Sequence, residues 1–182
     1  MDKLKFEIGF WHPFGPHAGE SPEEIIERKK YEIKATGWTL WSFQFRHTLD
    51  LWYAEIKKIN PDHVVVFCSE GKGANDPKSN PKFCDYYRPI NETVPIKIPP
   101  KIQIPHPLGK KIKGSAFIVK NIIYPAYYEA MPIEWLKNGE WQTTLLPTRP
   151  EYLIKFGGGQ PIKRFRAILE LQSPYLAEIS TN

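Results

Sequence analysis

The sequence has little cysteine and no long apolar run. Cys68 and Cys84 are the only two cysteines among 182 residues, and they do not form the close pair that is typical of zinc or redox motifs. No window approaches the roughly 18 apolar residues that a membrane-spanning helix needs. The first residues also lack the apolar core of a signal peptide. The sequence therefore predicts a cytoplasmic protein with reduced thiols and no membrane association.

Familiar catalytic motifs are also missing. The chain has no Gly-x-Ser-x-Gly, and residues 157–159 lack the lysine and hydroxyl residue of a P-loop. Asp62, Glu70 and Lys72 resemble the signature of a family of metal-dependent nucleases. An extended strand between the two carboxylates places them roughly 25 Å apart, too far to share a metal ion. A non-enzymatic role is favoured, catalytic residues stay unassigned, and we predict no resident metal and no cofactor.

Proline and positive charge are both in excess. The chain has 18 prolines, which is about twice the usual share and predicts long ordered loops. Its net charge is +5, with a pI near 9.1. A positive field concentrates polyanions at a protein surface, so this charge favours nucleic acid, DNA or RNA, as a partner. The length predicts a single domain spanning residues 1–182.

Hydrophobic periodicity and capping residues predict an α+β fold with about six strands and two main helices. The strands are predicted at residues 3–10, 38–45, 63–68, 115–124, 152–156 and 163–171, and the helices at 21–37 and 48–60. Residues 132–137 and a segment from Ser173–Pro174 are predicted as short helices, and the last two strands as a hairpin. Residues 71–114 are rich in proline and form an inserted passage, either a lid or a segment lying across the domain.

Aromatic residues cluster near the ends of the first two strands. These strands are separated by one helix, so they can be neighbours and their aromatic ends can converge. A pocket walled by tryptophan holds a flat or cationic group by stacking or cation–π contact. The ligand-binding residues predicted from this pattern are Trp11, His12, Phe14, Trp38, Trp41 and Phe43.

Basic residues flank the later strands and supply candidate phosphate contacts beside that pocket. They are Lys110, Lys111 and Lys113 before one strand and Lys163, Arg164 and Arg166 near the predicted hairpin. The first hypothesis is a non-enzymatic module that binds a base by stacking and phosphates by these cations.

Two alternatives remain open. His12 and His17 lie in one loop with Glu20, and together with a carboxylate such as Glu70 they could supply nitrogen and oxygen ligands to a metal-dependent hydrolase or nuclease. Exposed aromatics could instead anchor a partner in a protein-interaction domain. The oligomeric state is not predicted.

Two segments resemble the PUA-like superfamily, especially its EVE and YTH branches. They are Asp-His-Val-Val-Val-Phe-Cys-Ser-Glu-Gly at 62–71 and Gly-Ser-Ala-Phe-Ile-Val-Lys-Asn-Ile-Ile-Tyr at 114–124. The resemblance implies a small, partly closed mixed β-barrel that binds a modified or flipped-out base in an aromatic cage. Trp11, Trp38 and Trp41 are then the candidate cage walls, and Ser69 is a candidate polar contact. The long 71–114 passage departs from the short loops of that superfamily.

Overall fold

The fold is described from a computed structural model that covers residues 8–43, 49–71, 82–106, 113–126, 128–144, 152–157 and 163–181. Within these residues it contains two helices, α1 (Pro22–Thr36) and α2 (Leu49–Ile59), and thirteen strands. The strands are β1 (Ile8–Phe14), β2 (Thr39–Phe43), β3 (Val65–Glu70), β4 (Lys82–Phe83), β5 (Tyr86–Pro89), β6 (Ile96–Lys97), β7 (Pro105–His106), β8 (Lys113–Ile123), β9 (Tyr128–Lys137), β10 (Glu140–Gln142), β11 (Tyr152–Gly157), β12 (Lys163–Phe165) and β13 (Ala167–Ser180). In the part of the chain that the structure describes, no helix combines the length and apolarity needed to cross a membrane.

The first helix begins and ends as its capping residues predict. Ser21 Oγ accepts a hydrogen bond from the backbone N–H of Glu24 at 3.2 Å, and Pro22 occupies the first turn. Gly37 adopts a left-handed φ of 90°, and its N–H donates to the carbonyl of Ile33 at 2.7 Å. Local sequence therefore determines both boundaries of α1, and the predicted helix is confirmed.

Eleven of the strands form one large open sheet. Its main path runs β10-β9-β11-β1-β3-β13-β5-β6, β12 also pairs with β9, and β4 and β7 form a separate pair. The long strand β13 pairs with β3 and then β5 along one edge and with β8 along the other, and β2 pairs with β8. The pairing of β1 with β3 is parallel. The expected partly closed barrel of about six strands is therefore wrong, because the sheet is open and strands dominate the chain.

Two predicted helices are strands in the structure. Residues 132–137 belong to β9, which turns through Asn138 and Gly139 into β10, with positive φ values of 51° and 82°. Left-handed conformation at both central residues is the geometry of a two-residue hairpin, so Gly139 ends a strand rather than capping a helix. Ser173–Pro174 lies inside β13, where the register with β8 shifts.

Two predicted pairings are also wrong. β1 lies between β3 and β11 in the sheet, whereas β2 pairs with β8, so the first two strands are not sheet neighbours. β11 pairs with β1 and β9 rather than with the strand that follows it, so the expected hairpin between the last two predicted strands does not form. Strands far apart in sequence outcompete these local pairings.

The two faces of the sheet carry different cores. One face is covered by α1 and α2 and buries Trp41, Phe43, Trp52 and Phe117 among others. Strands β1, β3 and β11 bury a second cluster on the opposite face, which includes Trp11 and Phe67. Alternation along each strand sends neighbouring side chains to opposite faces, which is why Phe10 and Trp11 belong to different clusters.

The described part of the proline-rich passage lies across the sheet. Ile98, Ile102 and Ile104 are buried in one cluster with Leu40 of β2 and Ile179 of β13. These contacts bury an apolar sheet surface that the two helices leave uncovered.

Buried charges attach this passage to α1. Lys29 Nζ donates to the Gln103 carbonyl at 2.9 Å, and the Gln103 N–H donates to Glu32 Oε1 at 2.9 Å. Lys29 and Glu32 form an ion pair at 3.1 Å, and Glu32 also accepts from the Thr39 hydroxyl and from Arg28. Burial lowers the pKa of Lys29 to about 8, against the opposing attraction of Glu32. We call Arg28, Lys29, Glu32, Thr39 and Gln103 the Glu32 network.

Candidate functional site

The tryptophans expected to form the walls of one pocket lie in three different clusters. Trp41 is 5% exposed and belongs to the helix-covered core, whereas Trp11 is 8% exposed and lies on the opposite face. Trp38 is half-buried and packs with Tyr87, at a ring-centroid distance of 5.2 Å, against the cluster beneath the proline-rich passage. The fold therefore does not bring these three rings together.

Other predicted residues do meet, but inside the core. Trp41 Nε1 donates to His12 Nε2 at 3.3 Å. The ring of Phe14 lies 5.2 Å from that of Trp41, and the ring of Phe43 stacks on that of Phe117 at 4.2 Å. Phe14 and Phe43 are each less than 5% exposed. These contacts stabilise the packing between β1, β2 and β8.

Trp11 and Ser69 form a second predicted pair that the structure joins. Trp11 Nε1 donates to Ser69 Oγ at 2.7 Å. Trp11 pairs with Phe67 and Pro13 with Ser69 in the parallel β1–β3 ladder, so the two side chains are diagonal neighbours on one face. The bond satisfies the indole N–H of a nearly buried ring.

The residues proposed as metal ligands have other partners. His17 and Glu20 exchange two backbone hydrogen bonds at 3.0 and 2.9 Å, and the Glu20 carboxylate pairs with Arg28 at 2.9 Å. Glu70 lies near the Arg166 guanidinium at 3.7 Å. Among the described residues, no three histidine, cysteine or carboxylate side chains are placed to hold a metal ion.

The six residues that were predicted to contact phosphate differ in their positions and partners. Lys110 and Lys111 lie outside the described residues, and Lys163 and Arg164 lie on β12 with side chains that are likewise outside the description. Arg166 is partly neutralised by Glu23 at 3.4 Å and by Glu70. Lys113 is exposed at the start of β8.

Lys113 belongs to a row of side chains that crosses four strands. Tyr86 of β5 pairs with Lys97 of β6 and with Ser180 of β13, and Ser180 pairs with Lys113 of β8. Residues directly opposite one another project from the same sheet face, so these four side chains form a row. At about 4.8 Å between strands, the two lysines lie roughly 14 Å apart across the row.

A third basic residue adjoins this row. Arg88 lies two residues beyond Tyr86, on the same face, and pairs with Glu178 at 3.0 Å. Lys97 and Lys113 are exposed and Tyr86 is half-buried. We call Tyr86, Arg88, Lys97, Lys113, Glu178 and Ser180 the Tyr86 surface. Its three cations and one carboxylate give a net charge of +2 around an aromatic ring.

Most of this surface was not predicted, because residues 71–114 were expected to form either a lid or a segment lying across the domain. The available signal was Tyr86-Tyr87-Arg88, in which an aromatic and a basic residue two positions apart share one face of a strand. It becomes a surface only through pairing with β13, some 90 residues later in the chain.

Comparisons with known proteins return no family model, no curated protein and no solved structure that matches the chain. The resemblance to the PUA-like superfamily therefore stays a prediction, without the barrel that it implied. Evidence for function comes from the geometry of the chain itself.

Proposed function

We propose that this protein binds single-stranded nucleic acid on the Tyr86 surface. The single observation that carries the proposal is the row in which the Tyr86 ring lies between Lys97 on one side and Lys113 on the other. Grooves that bind single strands combine positive side chains, which contact the backbone, with an aromatic ring on which a base stacks. The net charge of +5 adds long-range attraction for the same ligand.

A single strand fits this surface better than a duplex. The Tyr86 ring is half-buried beside two exposed lysines, and only an unpaired base offers its flat side for stacking. The roughly 14 Å between the two lysines allows both to contact one backbone that crosses the strands. The Arg88–Glu178 pair adds a partly neutralised cation at the edge of the same surface.

The test is fluorescence anisotropy with labelled oligo(U) and oligo(dT), and with a duplex of equal length. Tyr86→Ala removes the stacking ring and should weaken single-strand binding about 5- to 150-fold, which corresponds to roughly 1 to 3 kcal/mol per stacked base. The matched control is Tyr31→Ala, because Tyr31 is a tyrosine on α1 that is 66% exposed. Equal binding by the two variants would contradict the proposal.

The finer prediction of a modified base held between Trp11, Trp38 and Trp41 lacks support in the described structure. Those rings lie in separate clusters, and two of them are nearly buried. Oligonucleotides with and without base modification belong in the same titration. A preference for a modified base that survives Tyr86→Ala would locate recognition elsewhere on the protein.

A further inference from the structure

A small polar pocket lies at the end of the sheet where β3 begins. It has a volume of about 140 Å³. Its lining includes Asp62, His63, Lys120, Glu170, Ser173 and Tyr175. Two carboxylates, an ammonium, an imidazole and two hydroxyls thus surround one cavity, and none of them belongs to the Tyr86 surface.

Irregular backbone on two strands shapes this pocket. Glu170 of β13 pairs with Asn121, but Leu171 pairs with Val119, so Lys120 is an extra residue that bulges from β8. Bulges redirect side chains and are frequent beside binding sites. Tyr175 has a φ of 73°, which is an uncommon conformation for an aromatic residue and is retained only where the surroundings enforce it.

The size of the pocket suits the edge of a base. An engineered apolar cavity of about 150 Å³ accommodates benzene, so a pocket of about 140 Å³ admits the six-membered ring of a purine by its polar edge and leaves the five-membered ring outside. The Glu170 carboxylate is already oriented, because its Oε2 accepts a hydrogen bond from Asn121 Nδ2 at 2.8 Å. A ring that enters is therefore met by an oriented acceptor, and Lys120 belongs to the lining of the same pocket.

We propose that this pocket binds the base of a guanine nucleotide, an inference that rests on the proposed nucleic-acid binding for the source of the base. Guanine is the only common base that presents two adjacent donors, N1–H and N2–H, to a single carboxylate. Adenine, cytosine and uracil each place an acceptor beside their donor, and that acceptor repels Glu170. Lys120 can donate to the guanine O6, which lies next to N1.

The pocket and the Tyr86 surface can be tested separately. Glu170 and Ser180 both lie on β13, at most about 33 Å apart at roughly 3.3 Å per residue. A preference for GMP over the other mononucleotides therefore reports on the pocket, because stacking on the Tyr86 ring tolerates every base. Oligo(U), which contains no guanine, reports on the Tyr86 surface alone.

The experiment is calorimetric titration with GMP, IMP, AMP, CMP and UMP. GMP should bind most tightly, and IMP, which lacks the N2 amino group, about tenfold more weakly or worse. Glu170→Gln should abolish the preference for GMP while leaving oligo(U) binding unchanged. Glu140→Gln, at an exposed carboxylate of β10, is the matched control.

Two outcomes decide against the pocket. Equal affinity for all five nucleotides indicates phosphate binding only and overturns the proposal, as does the absence of GMP binding. Lys120→Met is a second variant that tests the pocket, because it should weaken GMP binding without changing the fold. If oligo(U) binding fails while the GMP preference holds, the Tyr86 surface is refuted and the pocket stands.

Discussion

Replacing Glu32 by alanine should be among the most destabilising single changes in the chain. Its side chain is 2% exposed and accepts hydrogen bonds from Arg28, Lys29, Thr39 and the backbone of Gln103. Removing it leaves the Lys29 ammonium buried without its carboxylate. Breaking a buried ion pair from one side costs about 3 to 5 kcal/mol. Such a loss is a large fraction of the roughly 5 to 15 kcal/mol that stabilises a typical domain.

Chemical denaturation measures this loss, and hydrogen exchange locates it. The Gln103 amide donates to Glu32, so its exchange should accelerate more in Glu32→Ala than that of amides in the central strands. Glu27→Ala is the matched control, because Glu27 is an exposed glutamate on the same helix and should change the free energy of unfolding by less than about 0.5 kcal/mol.

A double variant separates the ion pair from the rest of the network. Lys29→Met combined with Glu32→Leu removes both charges, and apolar replacement of a buried pair is often close to neutral. The double variant should therefore be more stable than Glu32→Ala. If Glu32→Ala and Glu27→Ala unfold with the same midpoint and the same slope, the Glu32 network does not stabilise the fold.

Two further predictions concern stability. The pKa of Lys29 is lowered to about 8 in the fold, against 10.5 for a free lysine, so the unfolded chain binds more protons between those pH values. As pH rises from 8 to 10.5, the free energy of unfolding of the wild type should increase by about 3 kcal/mol relative to that of Lys29→Met. If the unfolding free energies of the two proteins change in parallel with pH, this linkage is excluded. Gly9→Ala places a Cβ 2.7 Å from the Phe67 ring and 3.0 Å from the Val65 carbonyl, so it should cost about 1 to 3 kcal/mol in thermal or urea unfolding. An unchanged unfolding midpoint would show that β1 and β3 separate without penalty.

Local signals in the sequence predict local structure well. The helix predicted at 21–37 is confirmed, and so is a strand within 38–45. Along this strand Trp41 and Phe43 face one side and Leu40 the other. The same alternation on β1 separates two of the residues that were predicted to line one pocket. Trp11 and Phe14 are three residues apart on a strand, and an odd spacing places them on opposite faces.

Longer-range pairing explains the errors. Asn138–Gly139 has a strong two-residue hairpin signature, but Pro132 and the following residues also fit a short capped helix. Pairing of β9 with β11 decides between the two, and no local pattern reveals it. The Tyr86 surface likewise requires β13 to pair with β5 on one edge and with β8 on the other. Sequence periodicity carries no information about which strands become neighbours.

The salt dependence of single-strand binding tests the central claim most directly. Each phosphate contact contributes about 0.7 to the slope of log affinity against log salt concentration for a single strand. Lys97→Ala combined with Lys113→Ala should therefore reduce the slope by about 1.4, measured between roughly 50 and 200 mM salt. The matched control is Lys58→Ala, at an exposed lysine of α2, which should leave the slope unchanged. The same slope for wild type and the double variant would contradict binding on the Tyr86 surface.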